Sequence, residues 1–372
     1  MVKRILQYFR RETVLSAALV CALLSFLLTP PSVIHLQGID TTTLLMLFSL
    51  MTIVAGFRRM GALDAVSRKL TRCVTTLRGL SAVMVALCFV LSMLVTNDVA
   101  LLTLVPLTLL LFRACGQKST IWTVVLETVA ANLGSMVTPI GNPQNLYLYG
   151  LAGVGAGQFI MWLLPYTIVS AALLIISIML LKNKNADVSM KDTDDNSGQK
   201  AAPVNVLLYT ILFIIALLVV ARVLPWYVLT VLVLVTTFII ERNVLLKADY
   251  ALLLTFVGFF IFTGNMGRIE PVALFLSGIA DGREIGVGII TSQCISNVPA
   301  ALLLSGFTHN IKSLALGVNI GGLGTLIASM ASLISYKQYV NEVPDGKEKY
   351  FVTFTVYNVI FLIVLYACTK LI

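Results

Sequence analysis

The sequence predicts an all-α polytopic membrane protein built from two inverted-topology repeats, each with a re-entrant helical hairpin and an interrupted helix. Three observations carry that prediction. The 372 residues are 58% hydrophobic and only 12% charged, with a mean hydropathy of +0.95; soluble domains are far more charged. Two long apolar blocks are each broken in the middle by polar residues. Three stretches of the first half match three of the second, in the same order.

Taken in order, apolar runs fall at 13–29, 41–57, 80–112, 121–140 and 158–181 when read with a window of about 19 residues. They resume at 204–221, 226–240, 251–263, 285–307, 313–334 and 351–371. The N-terminal MVKRILQYFRRE has the charge of a signal peptide, but the apolar run after it is long for one and no small-residue cleavage pattern follows. It reads as a retained first span. Residues 182–203 open with KNKNADVSMKDTDDNSGQK, which has no apolar periodicity and reads as a flexible cytoplasmic linker. The chain thus divides into a first repeat at 1–181, the linker, a connecting span at 204–221, and a second repeat at 222–372.

The two broken blocks are the informative ones. LSMLVTNDVALLTLVP places Thr96, Asn97 and Asp98 between apolar runs, and IITSQCISNVPAALLLSG places Ser296 and Asn297 likewise. Each half-run is expected to fall short of a bilayer of about 30 Å, so 80–112 and 285–307 read as hairpins that enter and leave on one side. With the N-terminus inside, Lys and Arg then favour the cytoplasmic side by roughly four to one. That gives about nine spans in a cell membrane, inner or plasma, with a cytoplasmic N-terminus and the C-terminus outside.

The repeat is legible directly. MGALDAV (60–66) corresponds to MGRIEPV (266–272), and TNDVALLTL (96–104) to SNVPAALLL (296–304). ANLGSMVTPIGNPQNL (131–146) corresponds to VNIGGLGTLIASMASL (318–333), with Asn132/Asn319, Gly134/Gly321 and Thr138/Thr325 in register. The order is conserved while the charges orient the halves oppositely, and 204–221 supplies the odd crossing. Inverted repeats with interrupted helices are the signature of secondary transporters.

The chemistry sits at the interruptions. Asn97, Asp98, Ser296 and Asn297 are helix-capping residue types, and Pro299 suits a first turn. A helix start near the bilayer midplane also offers free N–H groups and partial positive charge to an anion. Gly134, Pro139, Gly141 and Pro143, then Gly321, Gly322 and Gly324, are expected to break the following helices. Freed carbonyls there, with the side chains of Thr138, Asn142, Thr325 and Ser329, offer cation ligands; close helix packing through small residues is the other reading of these glycines. The candidate substrate and ion site is therefore Thr96, Asn97, Asp98, Thr138, Pro139, Gly141, Asn142, Ser296, Asn297, Asn319, Gly321, Gly322, Thr325 and Ser329. Asp98 and Glu127 are candidate proton carriers. A second cap is the plainer role for Asp98, and snorkelling or helix pairing the plainer role for Glu127.

Other classes are disfavoured. The net charge of +9 lies in short loops between spans, so nucleic acid is not expected as a partner and lipid is; the basic 58–78 stretch reads as an orientation signal with headgroup contact. Two histidines and six cysteines without paired spacing leave no metal motif. There is no HExxH, GxSxG or P-loop, and GVGAG (153–157) follows no strand, so an enzyme is not expected, nor ATP-driven transport by this chain without a separate ATPase.

At TNDVALLTLVP, NLGSMVTPIGNPQNL, SNVPAALLL and NIGGLGTLIAS the chain resembles the ion transporter superfamily, which groups arsenite permeases, citrate and dicarboxylate carriers and some sodium/proton antiporters. The resemblance covers nearly the whole chain. It implies that Thr96, Asn97, Ser296 and Asn297 contact anion or cation, with sodium at Asn97 and Asn297 as the coupling ion and no other cofactor. Asp98 and Val298 stand where the divalent-anion symporters carry Thr, and the acid looks more like the arsenite permease side. A carboxylate there repels a dianion unless it is protonated or paired with a cation. The expectation is a secondary transporter of a small inorganic or carboxylate anion, coupled to Na+ or H+, with a homodimer as the candidate assembly. A sodium/proton antiporter is the alternative.

Overall fold

The computed structural model describes residues 12–29, 38–61, 74, 76–113, 115–181 and 203–371. The basic N-terminal segment, nearly all of the 182–203 linker, most of MGALDAV and much of the basic 58–78 stretch lie outside the described residues. Within them the chain is all-helical. The first half runs α1 (Thr13–Leu28), α2 (Thr41–Arg59), α3 (Leu77–Val95), α4 (Asn97–Leu111), α5 (Gln117–Ser135), α6 (Pro143–Ala152) and α7 (Ala156–Met179). After α8 (Pro203–Val220) come α9 (Trp226–Ile240), the short α10 (Arg242–Leu245), α11 (Tyr250–Met266) and α12 (Glu270–Ala280). The chain ends with α13 (Glu284–Ile295), α14 (Asn297–Ser305), α15 (Ile311–Gly321), α16 (Met330–Glu342) and α17 (Lys347–Cys368).

Apolar side chains face out and amides face in. Leu27 is 80% exposed and Ile239 76%, while Asn145, Asn265 and Asn358 are fully buried. Lipid selects that inversion, because it solvates leucine and leaves polar groups to find partners inside. Among the described residues four helices are long and apolar enough to cross a bilayer, namely Thr41–Arg59, Leu77–Val95, Ala156–Met179 and Pro344–Cys368; α11 and α12, bent by 108°, make a fifth if taken as one span. The chain is a polytopic membrane protein.

One expectation about length is corrected. The apolar window starts at Leu80, but the Thr76 hydroxyl caps Gly79 N–H at 3.2 Å and starts α3 at Leu77. Its 19 residues reach about 28 Å, enough to span. The 12 residues of α13 and 9 of α14 do fall short. In both blocks the arms still pack on each other, α3 on α4 and α13 on α14, so each block folds back at its tip.

The same local solutions recur in both halves. The Asp40 carboxylate accepts from Thr43 N at 3.0 Å to start α2, and that of Asp249 from Leu252 N at 2.9 Å to start α11. Gly134 brings α5 against α3, where a Cβ would overlap the Phe89 carbonyl; Gly321 brings α15 against α13, where it would meet Ile289 Cα at 2.9 Å. Close packing through small residues is thus the role of these two glycines. Between the halves partners are exchanged: α1 packs on α11 and α9 on α2, α4 on α16 and α14 on α6, α5 on α17 and α15 on α7.

Candidate functional site

The two tips share one backbone conformation. Thr96 has φ 78° and ψ 150°, and Ser296 has φ 76° and ψ 155°. This region is essentially glycine's own, and a side chain there costs about 1–3 kcal/mol. Thr96 and Ser296 are the capping positions, yet neither side chain makes a capping hydrogen bond. At the first tip this lies one residue before the expected caps. Asn97 and Asn297 are instead the first helical residues. Asp98 lies in the first turn of α4, and its backbone N–H bonds to Asn97 Oδ1 at 2.9 Å. Its carboxylate caps nothing. Asp98 Oδ1 is buried without a hydrogen-bond partner.

Each tip leans on the helix break of its own half. The breaks span 136–142, between α5 and α6, and 322–329, between α15 and α16. Asn97 N–H donates to the Gly141 carbonyl at 3.1 Å, and Ser296 Oγ donates to the Ala328 carbonyl at 3.5 Å. The Thr138 hydroxyl donates to the Met93 carbonyl at 2.6 Å and the Thr325 hydroxyl to the Gln293 carbonyl at 3.5 Å. These two threonines staple break to hairpin arm rather than joining the centre. Gln293 also occupies freed carbonyls, since its Nε2 donates to Gly321 O and Leu323 O, both at 2.8 Å. Pro139 and Gly141 are buried in the first break. In the second, Gly322 leaves room for the Asn297 carboxamide, whose Nδ2 would lie 2.9 Å from a Cβ there.

Between the breaks lies a buried network of amides and hydroxyls. Ser329 Oγ donates to Asn132 Oδ1 at 2.9 Å, and Asn132 Nδ2 donates to Ser332 Oγ at 3.3 Å. In mirror fashion, Asn142 Nδ2 donates to Asn319 Oδ1 at 3.0 Å, and Asn319 Nδ2 donates to Asn145 Oδ1 at 2.6 Å. Asn97 Nδ2 joins by donating to Asn132 Oδ1 at 3.2 Å. The two sets are joined by Ser135, whose Oγ accepts from Asn142 Nδ2 at 3.3 Å and donates to the Asn132 carbonyl at 2.9 Å, so Asn97, Asn142, Asn319 and Ser329 of the expected set are brought into one network, with Ser296 and Asn297 at the second tip beside it. Asn132, Asn145 and Ser332 belong to it as well. The register of the third repeat match already paired Asn145 with Ser332, and that was the signal that could have found them.

Glu127 stands apart. It is fully buried, which excludes snorkelling. Its Oε1 accepts from the Thr108 hydroxyl on α4 at 2.5 Å, and Oε2 has no partner. The helix-pairing reading describes this geometry.

Two cavities meet the tips. A larger one of about 700 Å³ has Thr96, Asp98 and Asn142 in its wall, and Arg58, Arg59 and Lys247 as well. A smaller one of about 230 Å³ touches Ser296, Val298 and Pro299. Asp249, Leu252, Met330 and Ile334 line both. The described residues contain no cluster of three or more metal-ligating side chains; near the tips the cavities offer backbone polarity, amides and one unpartnered carboxylate oxygen, and the larger one adds the cationic Arg58, Arg59 and Lys247.

Known proteins match this chain over most of its length. The family model described as citrate transporter matches residues 4–313. An uncharacterized transporter of Methanocaldococcus jannaschii is 34% identical over 330 residues, covering 87% of this chain and 88% of that protein. The inner membrane protein YbiR of Escherichia coli K12 is 31% identical over 303 residues, covering 81% and 80%. An uncharacterized transporter of Mycobacterium tuberculosis is 24% identical over 337 residues, covering 81% and 78%.

Proposed function

The chain belongs to the citrate transporter family and is a membrane transporter rather than an enzyme, and from that premise we propose that it is a cation-coupled secondary carrier of a small inorganic or carboxylate anion. The observation that carries the reading is the pair of tips. Thr96–Asn97 and Ser296–Asn297 adopt one strained conformation, and each is pressed onto its own helix break. Two helix N-termini, on α4 and α14, favour an anion at these points. Sodium at Asn97 and Asn297, or a proton at Asp98, would supply the compensating positive charge. Anion and cation then stabilise each other, and neither is carried well alone.

In this reading the halves are inverted repeats, with α8 as the odd crossing among about nine, the N-terminus in the cytoplasm and the C-terminus outside. The cytoplasmic side then holds Arg58, Arg59, Lys247 and Asp249, so both cavities open inward. Alternating access moves the hairpins and broken helices against the rest, closing this side and opening the other. A sodium/proton antiporter is the second reading. The unpartnered Asp98 Oδ1 favours it, because an intramembrane carboxylate lining a cavity can exchange a proton for a metal cation.

The test is thermal stabilisation of the purified protein by citrate, succinate, sulfate, arsenate and arsenite, each with sodium, with potassium, and at two pH values. Stabilisation by one anion that requires sodium or low pH, and that is lost in Asn97→Ala and Asn297→Ala, supports the carrier. Stabilisation by sodium or pH with no anion effect sinks it and leaves the antiporter.

A further inference from the structure

The larger cavity has charged groups at two levels. Along α2 it touches residues from Leu47 to Arg59, a rise of about 18 Å. Asp98, in the first turn after the tip, lies at the hairpin level. At the other end, the last turn of α2 contributes Arg58 and Arg59, and Lys247 precedes the start of α11. Asp249 is the carboxylate beside them in the cavity wall, and one of its oxygens is committed to capping Leu252 N–H. Arg59 pairs with Glu241, at the junction of α9 and α10. Among the described residues Arg58 and Lys247 pair with no carboxylate. Among the described residues, three cations at one end of the cavity thus face two carboxylates, Glu241 and Asp249, which leaves an excess of positive charge there, and a carboxylate without a cationic partner stands at the other end.

Resting on the carrier reading, we propose that Arg58, Arg59 and Lys247 form an anion-capture vestibule, separate from the tip site, with Glu241 occupying Arg59 until an anion arrives. An anion approaching Asp98 directly meets repulsion, whereas a low-dielectric cleft with cations at its mouth raises the local anion concentration first. Guanidinium groups suit a carboxylate or oxyanion because their N–H donors match two oxygens at once. Holding Arg59 on Glu241 prevents three bare cations from repelling one another in the empty vestibule. The plainer account, that these residues only orient the chain in the membrane, gives Glu241 no such role.

The vestibule is tested by measuring the citrate concentration for half-maximal thermal stabilisation, at fixed sodium, with ionic strength set by choline chloride. At low ionic strength the Arg58→Gln/Lys247→Gln double variant is expected to need roughly fivefold more citrate. The gap closes at high ionic strength, where the Debye length falls toward about 3 Å. Glu241→Gln, which frees Arg59, is expected to need about half as much citrate as the unaltered protein. Lys118→Gln, a basic change away from the cavity, leaves the value unchanged. Equal half-saturation in all variants overturns the proposal, as does a purely reduced membrane yield with unchanged half-saturation, or an unaltered protein that ignores citrate at low ionic strength. The carrier reading fails independently: it falls only if no anion in the panel stabilises the protein, and it survives if vestibule variants behave normally while Asn97→Ala loses its response.

Discussion

Asn132 and Asn319 make the same pair of bonds to opposite halves of the chain. Each accepts from the residue that starts the other half's resumed helix, Ser329 for Asn132 and Asn142 for Asn319, and each donates to the residue three positions later, Ser332 or Asn145. Asn319 is bonded to two carboxamides at 3.0 and 2.6 Å, whereas Asn132 is bonded to two hydroxyls at 2.9 and 3.3 Å and to the Asn97 carboxamide at 3.2 Å.

Asn319→Ala and Asn132→Ala are therefore expected to destabilise to a similar extent. The first strands Asn145 Oδ1 in a buried site, while Asn142 Nδ2 keeps Ser135 Oγ at 3.3 Å; the second strands Asn97 Nδ2, while the serine hydroxyls rotate toward other acceptors. Each stranded group costs about 1–3 kcal/mol. Thermal unfolding in detergent measures both, and a clear gap between the two variants would sink the idea that the sets are equivalent.

Gly134→Ala and Gly321→Ala test the helix crossings. Overpacking costs typically 1–3 kcal/mol. A Cβ on Gly134 meets the Phe89 backbone carbonyl, while one on Gly321 meets the Ser292 side chain and Ile289 Cα. Both variants should melt at lower temperature, Gly134→Ala by more.

Thr96→Gly and Ser296→Gly should raise the melting temperature, because glycine adopts φ near +77° without the penalty of about 1–3 kcal/mol. Anion-dependent stabilisation should weaken in the same variants as the tips loosen. A lower melting temperature would mean that the hydroxyls contribute more than the strain they impose.

The two acids should separate. Glu127→Gln keeps an acceptor for Thr108 and is expected to change stability by less than about 1 kcal/mol, whereas Glu127→Ala strands the hydroxyl and costs about 2 kcal/mol or more. Asp98→Asn removes the carboxylate that lines the cavity and should abolish cation-dependent stabilisation with little change in melting temperature. Transport lost in Glu127→Gln with stability intact would make Glu127 the proton carrier.

Much of this was legible because periodicity in lipid is simple. Long apolar runs located most of the helices, though not the short α6, α10 and α12, and polar interruptions located both tips to within a residue and both breaks to within about three. The in-register Asn132/Asn319 pair pointed to the network. Thr138 and Thr325 read as ligands from composition alone, but a hydroxyl beside a helix break bonds to whichever carbonyl is near, and here that belongs to the hairpin arm. The role of Gln293 was invisible, since nothing local marks a glutamine that satisfies carbonyls nearly thirty residues ahead. The length of α3 was misjudged because hydropathy does not register a threonine cap.

The exchange of partners between halves governs how the chain is made. The helix that α1 packs on, α11, begins about 220 residues after α1 ends. At ordinary translation rates that interval lasts roughly 10–45 s. During it α1 sits in the bilayer before Asn265 Nδ2 arrives to donate to Ser25 Oγ, and that hydroxyl meanwhile bonds only the Ala22 carbonyl of its own helix. The N-terminal half cannot complete its tertiary structure before the C-terminal half arrives, so insertion runs ahead of assembly, and a transcript truncated after α8 should yield a product that quality-control proteases remove.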